Sequence, residues 1–203
     1  MEFWNSLLTE KSWKILQELN KKYHFILIGG WAVYLWTQQQ KSKDIDILVD
    51  IKELQKLKQE NLGKNDRLKK YEIKIDEIEI DIYVAHFSQL VLPVEDLDKY
   101  CTQIESFTVV LPEVLLILKQ GAEVDRGNSP KDEKDKIDIL SLLLFSEIDF
   151  KKYWSILREY KMENYLDRLI SLVREFSDYE RFSMTPRAFK LKKKMLINCL
   201  KKV

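Results

Sequence analysis

The chemistry-bearing residues concentrate between positions 26 and 49, ILIGGWAVYLWTQQQKSKDIDILV, where Asp44 and Asp46 stand two positions apart downstream of a Gly-Gly pair. Side chains alternate across a β-strand, so both carboxylates are expected on one face of a strand, with Ile45 and Ile47 on the other, towards a core. Like charges held so close repel each other and raise at least one pKa unless a cation sits between them. Magnesium is the expected cation, a hard ion that shares its oxygen shell between protein carboxylates and substrate phosphates. The spacing therefore predicts a seat for a nucleoside triphosphate and its metal ions.

Gly29 and Gly30 are expected to supply the other half of that seat. They end the apolar strand FILIG and lead into the helical stretch WAVYLW. Without side chains, their backbone N–H groups can come close to a ligand. A phosphate resting there would meet unpaired N–H groups and the positive end of the helix dipole.

The hydrophobic-Gly-Gly pattern, thirteen intervening residues and Asp-Ile-Asp-Ile resemble the nucleotidyltransferase superfamily that includes DNA polymerase β and the aminoglycoside nucleotidyltransferases. The resemblance implies a third acidic residue on a neighbouring strand. The segment YEIKIDEIEIDIYVAH reads as a hairpin of alternating apolar and charged residues turning near Asp76 and Glu77. Within it Asp81 fits the family's hydrophobic-Asp-hydrophobic pattern best, and Glu79, pointing the same way, is the alternative.

A second stretch, LPEVLLILKQGAEVDRGNSPKDEKDKIDILSLL, resembles the later motifs of AbiEii-type toxins, in which Pro-Glu opens a lysine-bearing helix and Asp-x-x-Asp follows on the next. By position this implies nucleotide-binding roles for Lys119, Arg126, Asp135 and Asp138, and the Lys-Ser-Lys before Asp44 adds Lys43. The likeness covers roughly residues 24 to 145. It departs from the commoner Gly-Ser at the turn, because Gly30 replaces serine and removes one hydroxyl.

The implied activity is transfer of a nucleoside monophosphate from a triphosphate to an acceptor hydroxyl, with two magnesium ions about 3.5–4 Å apart. Asp44 and Asp46 would bridge the ions, and Asp81 would hold the one that activates the incoming hydroxyl. Gly29 and Gly30 would hold the β and γ phosphates, while Lys119 or Arg126 would neutralise the departing pyrophosphate. The toxin-like branch implies tRNA, other RNA or a protein as acceptor, together with a cognate antitoxin. The antibiotic-modifying branch implies a small molecule. A nucleotide-binding regulator without chemistry and an acidic interaction surface remain open, since DIDILVD alone also suits a half-buried strand and Gly-Gly alone a turn.

These residues need a scaffold, and periodicity outlines one: an α/β fold, with a small mixed-sheet nucleotidyltransferase core over residues 1–110 and a C-terminal helical bundle over 111–203. Apolar residues between 2 and 20 recur at helical spacing. FTVVLP reads as a last strand ended by Pro112, which suits the first turn of a helix. From there apolar positions recur at three and four, giving about five helices, the first two separated by the polar loop RGNSP. The two halves are expected to pack with the nucleotide between them.

The 203-residue chain is 45% hydrophobic, ample for a core, and no run approaches the ~18 apolar residues of a membrane span. A cytoplasmic location is the default expectation. Cys101 and Cys199 fit neither a disulfide framework nor a zinc site. With 34 basic against 33 acidic residues, net charge gives no general argument for nucleic acid. Locally, RFSMTPRAFKLKKKMLINCLKKV carries eight cations and no carboxylate, either a polynucleotide-binding patch or a solvated terminal helix.

Overall fold

A computed structural model describes residues 5–127 and 130–203. The chain forms two compact units, one ending at Leu111 and the other spanning Pro112–Val203.

The first unit opens with helix α1, Ser6–Lys22, capped by the Asn5 side chain, which accepts from the Leu7 N–H. Strand β1, Ile26–Ile28, runs directly into α2, Gly29–Thr37, so the Gly-Gly pair forms the first turn of the helix rather than a separate turn before it. Strand β2, Ile45–Val49, follows. It begins one residue after Asp44, so only Asp46 of the expected pair lies within the strand. Asp50 then caps the short α3, Ile51–Leu57, by accepting from the Glu53 N–H.

Strand β3 is Gly63–Asn65, β4 Lys70–Ile75 and β5 Ile78–Val84. β4 and β5 form the expected hairpin: Ile75 faces Ile78 across a two-residue turn in which Asp76 has a φ of 53°. Strands β6, Cys101–Ile104, and β7, Phe107–Val110, complete a seven-stranded sheet in the order β3-β4-β5-β2-β1-β7-β6. β2 pairs parallel with β5 and antiparallel with β1, and β1 pairs parallel with β7. The sheet is therefore mixed. Partners in register share a face, so Ile45, Ile47, Ile73, Ile80 and Ile82 form one apolar surface, all of them buried. At ~25 cal/mol per Å² of apolar area removed from water, such a surface fixes the register, because a one-residue slip would expose every isoleucine.

The second unit contains α4, Pro112–Arg126, α5, Pro130–Phe145, α6, Phe150–Glu159, α7, Asn164–Glu175, and α8, Pro186–Leu200. Pro112 occupies the first turn of α4, where its missing N–H is no loss. The predicted loop RGNSP includes Asn128 and Ser129, which lie outside the described residues; Pro130 already belongs to α5. Helix α4 packs against α5, α6 and α7. Phe145, Phe176, Phe182 and Phe189 form a ring cluster with centroids 5.8 to 6.3 Å apart, pinning α8 to the ends of α5 and α7. Among the described residues no helix is long and apolar enough to cross a membrane.

Candidate functional site

The face of the sheet opposite the isoleucines carries a row of acidic residues. Asp46 on β2 is directly opposite Asp81 on β5, and Asp81 is directly opposite Glu72 on β4. On the other side of Asp46 stands Ile28, the last residue before the Gly-Gly pair. Parallel pairing of β2 and β5 thus brings together carboxylates 35 positions apart in sequence. Glu79, the alternative to Asp81, is exposed and lies beyond the β2–β5 ladder, opposite Lys74.

Gly29 closes the site from the helix side. Its φ is +67°, and a β-carbon there would lie 2.0 Å from Asp46 Oδ2 and 2.5 Å from its carboxyl carbon. Any side chain would therefore combine a left-handed backbone strain with a collision against the carboxylate. The N-cap residue of α2, Ile28, makes no side-chain cap bond to the first-turn N–H groups of the helix. Gly30 is buried in the same turn, Asp44 stands half-buried immediately before β2, and half-buried Lys43 precedes it.

Burial first, and then the nearby Asp46 charge, raise the Asp81 carboxyl to about 6 against the opposing pull of Lys70. The Lys70 ammonium lies 2.6 Å from Asp81 Oδ2 and 3.1 Å from Glu72 Oε1. Burial acts against ionisation of Glu72, but the bonds from Lys70 and Asn65 outweigh it and hold the carboxyl below its usual range. Glu72 and Lys70 are site residues that motif matching missed. Counting back from the Asp76-Glu77 turn places both on the Asp81 face, so the hairpin register was the available signal.

The raised Asp81 pKa has a consequence for stability. The folded protein holds this proton more tightly than the unfolded chain, so the contribution is complete below about pH 4 and is lost as pH rises through about 6. The full swing is on the order of 3 kcal/mol. Urea denaturation between pH 4 and pH 7 is expected to show wild-type stability falling relative to Asp81→Asn. A pH-independent difference would contradict the shift.

The remaining nucleotide-binding candidates lie in the helical unit. Lys119 on α4 forms ion pairs with Asp138 at 2.6 Å and with Asp135 at 3.2 Å, and Arg126 with Asp135 at 2.5 Å. The Asp135, Asp138 and Lys119 side chains are 1%, 2% and 10% exposed. Lys119 therefore belongs to a buried ion cluster. Both aspartates lie in the interior of α5, beyond its first turn.

On α8, Lys193 donates to the carbonyls of Arg174 and Phe176 at the end of α7, at 2.7 and 2.6 Å, so this cation complements the negative end of α7 instead of standing in solvent. Arg187, Lys190, Lys194, Lys201 and Lys202 are exposed.

No family model matches the chain, and no curated protein matches it in sequence. Among solved structures it is similar to a proposed nucleotidyltransferase from H. pylori, with 18% identity over 97% of this chain and 95% of that one at a TM-score of 0.52. It is also similar to JHP933 from Helicobacter pylori, with 17% identity over 97% of this chain and 91% of that one at a TM-score of 0.51. The chain shares the fold of these proteins, a mixed α/β sheet followed by C-terminal helices.

Proposed function

We propose that the chain is a metal-dependent nucleotidyltransferase that moves a nucleoside monophosphate from a triphosphate to an acceptor hydroxyl. The observation that carries this reading is the in-register pair Asp46 and Asp81 beside Gly29, whose missing side chain leaves room for Asp46 at an uncapped helix start.

The residues fit magnesium. Among the described residues no group of three or more His, Cys, Asp or Glu side chains is placed to hold a metal ion by itself. Magnesium is ordinarily bound by one or two carboxylates plus substrate phosphates and water. Asp46 and Asp81, with Asp44 adjoining, would supply such a partial shell. Bound there, the metal supplies charge neutralisation for the phosphates and acidifies a coordinated hydroxyl. Gly29 and Gly30 present backbone N–H groups to the triphosphate. Asp81, facing Asp46 across the parallel ladder, would be the group to accept the proton of the attacking hydroxyl.

RNA is the acceptor class we favour within this reading, because the exposed cations of α8 offer charge to a phosphate backbone. An RNA acceptor would fit the toxin-like branch, for which a cognate antitoxin would be a further partner. Incubation with each labelled triphosphate and a whole-cell extract tests the proposal. Label is expected in the RNA fraction and not with Asp46→Ala protein. Label confined to protein or small molecules would overturn the acceptor, and equal labelling by Asp46→Ala would overturn the site.

A further inference from the structure

Lys70 has no part in the reaction outlined above, yet it occupies the most contested position at the site. Residues 70 and 72 alternate onto the same face of β4 as the acidic row, and the ammonium touches both Asp81 and Glu72. The Lys70 and Asp81 side chains are 13% and 19% exposed, whereas Glu72 is 42% exposed. Glu72 is in turn held by Asn65, whose Nδ2 donates to Oε1 at 2.9 Å.

We propose that Lys70 is a built-in place-holder for the divalent cation: its ammonium neutralises Asp81 until metal and triphosphate arrive, then transfers wholly to Glu72. The inference rests on the metal-dependent reading above and extends it to how the site handles charge when empty. Two carboxylates in register on neighbouring strands repel each other unless a cation stands by them. In the free chain that cation is Lys70. An ammonium 2.6 Å from Asp81 Oδ2 and a divalent ion on the same carboxylate repel each other strongly, so metal binding weakens the hold of Asp81 on Lys70.

Lys70 can leave without becoming an uncompensated buried charge, because its second partner is already in contact. The flexible four-carbon stem allows a short swing about β4 while the strand stays fixed. The row Asp46, Asp81, Glu72 therefore has separate tasks along its length. Its inner end receives metal, and its more exposed end receives the displaced lysine. A metal that must evict an ammonium binds the empty site weakly, which favours binding of the ion together with a triphosphate.

Direct binding of Mn²⁺, followed by the electron paramagnetic resonance signal of the free ion, tests this without turnover. In the absence of nucleotide, Lys70→Met is expected to bind Mn²⁺ about tenfold tighter than wild type, the effect of removing one charge-assisted bond to the competing state. Lys70→Arg, which keeps the competing cation, is expected to stay near wild type. Glu72→Gln, which removes the anionic receiver for the displaced lysine, is expected to bind several-fold more weakly. Mn²⁺ should also raise the melting temperature of Lys70→Met more than that of wild type.

Unchanged or weaker binding by Lys70→Met, with binding still abolished in Asp46→Ala, would overturn the place-holder and leave the nucleotidyltransferase reading intact. If Lys70→Met does not fold, wild-type affinity in Glu72→Gln would overturn it equally. Absence of Mn²⁺ binding in every protein, with or without a non-hydrolysable triphosphate, would overturn both readings.

Discussion

Alanine at Asp46 is expected to lower nucleotidyl transfer by at least about 10³-fold while leaving the fold in place. A loss of that size corresponds to ~4 kcal/mol of transition-state stabilisation, within what a metal-held phosphoryl centre provides. Asp46 is chosen over its neighbours because three separate constraints meet on it. It faces Asp81 across the parallel ladder, it faces Ile28 at the entry to α2, and its carboxylate fills the space that a side chain at Gly29 would need. The substitution leaves the apolar face of β2 untouched, since Ile45 and Ile47 point the other way.

It also removes one member of a repelling pair. The melting temperature is therefore expected to hold or rise slightly, and the Asp81 pKa to drop part of the way from about 6, with burial still holding it up. Transfer is read with labelled triphosphate and folding by circular dichroism. A folded Asp46→Ala protein with wild-type turnover would remove this residue from the chemistry.

The acidic row was partly legible in the sequence, and the boundary has a physical basis. The hairpin could be placed because alternation from Tyr71 to Val84 is nearly unbroken and Asp76-Glu77 is the only polar pair that interrupts it. That turn alone sets Glu72 opposite Asp81 and Lys70 on the same face, so both follow from local sequence once register is counted. The match of Asp46 with Asp81 does not follow, because parallel pairing of β2 with β5 is non-local and no turn fixes it.

The position of Asp44 just outside β2 depends on where the ladder begins, and strand ends are the least determined feature of a periodic pattern. The contact that excludes a side chain at Gly29 is likewise invisible until β1 and β2 lie side by side. Helix α4 shows the same limit. Its apolar periodicity was clear, but nothing in VLLILKQGA reveals which element would meet Lys119.

That meeting leads to the second large effect: Lys119→Met is expected to destabilise the helical unit by about 3–5 kcal/mol, the usual result of removing one partner from a buried ion pair. Among the described residues Lys119 is the nearest cation to Asp138, at 2.6 Å, whereas Lys134 stands 3.8 Å away. Asp135 would retain Arg126, whose side chain is 43% exposed and therefore screened by solvent. Two carboxylates almost wholly out of water would then share weaker compensation.

The loss should appear as faster hydrogen exchange of α4 and α5 amides, and as a melting temperature lower by on the order of 10 °C. Replacing the whole cluster separates the missing charge from the missing side chain. The triple variant Lys119→Met, Asp135→Asn, Asp138→Asn removes the stranded charges together, and is expected to recover much of the stability lost by the single variant. Unchanged exchange and melting in Lys119→Met, with transfer reduced, would instead assign this lysine to the substrate, as the resemblance to toxin-type enzymes implies.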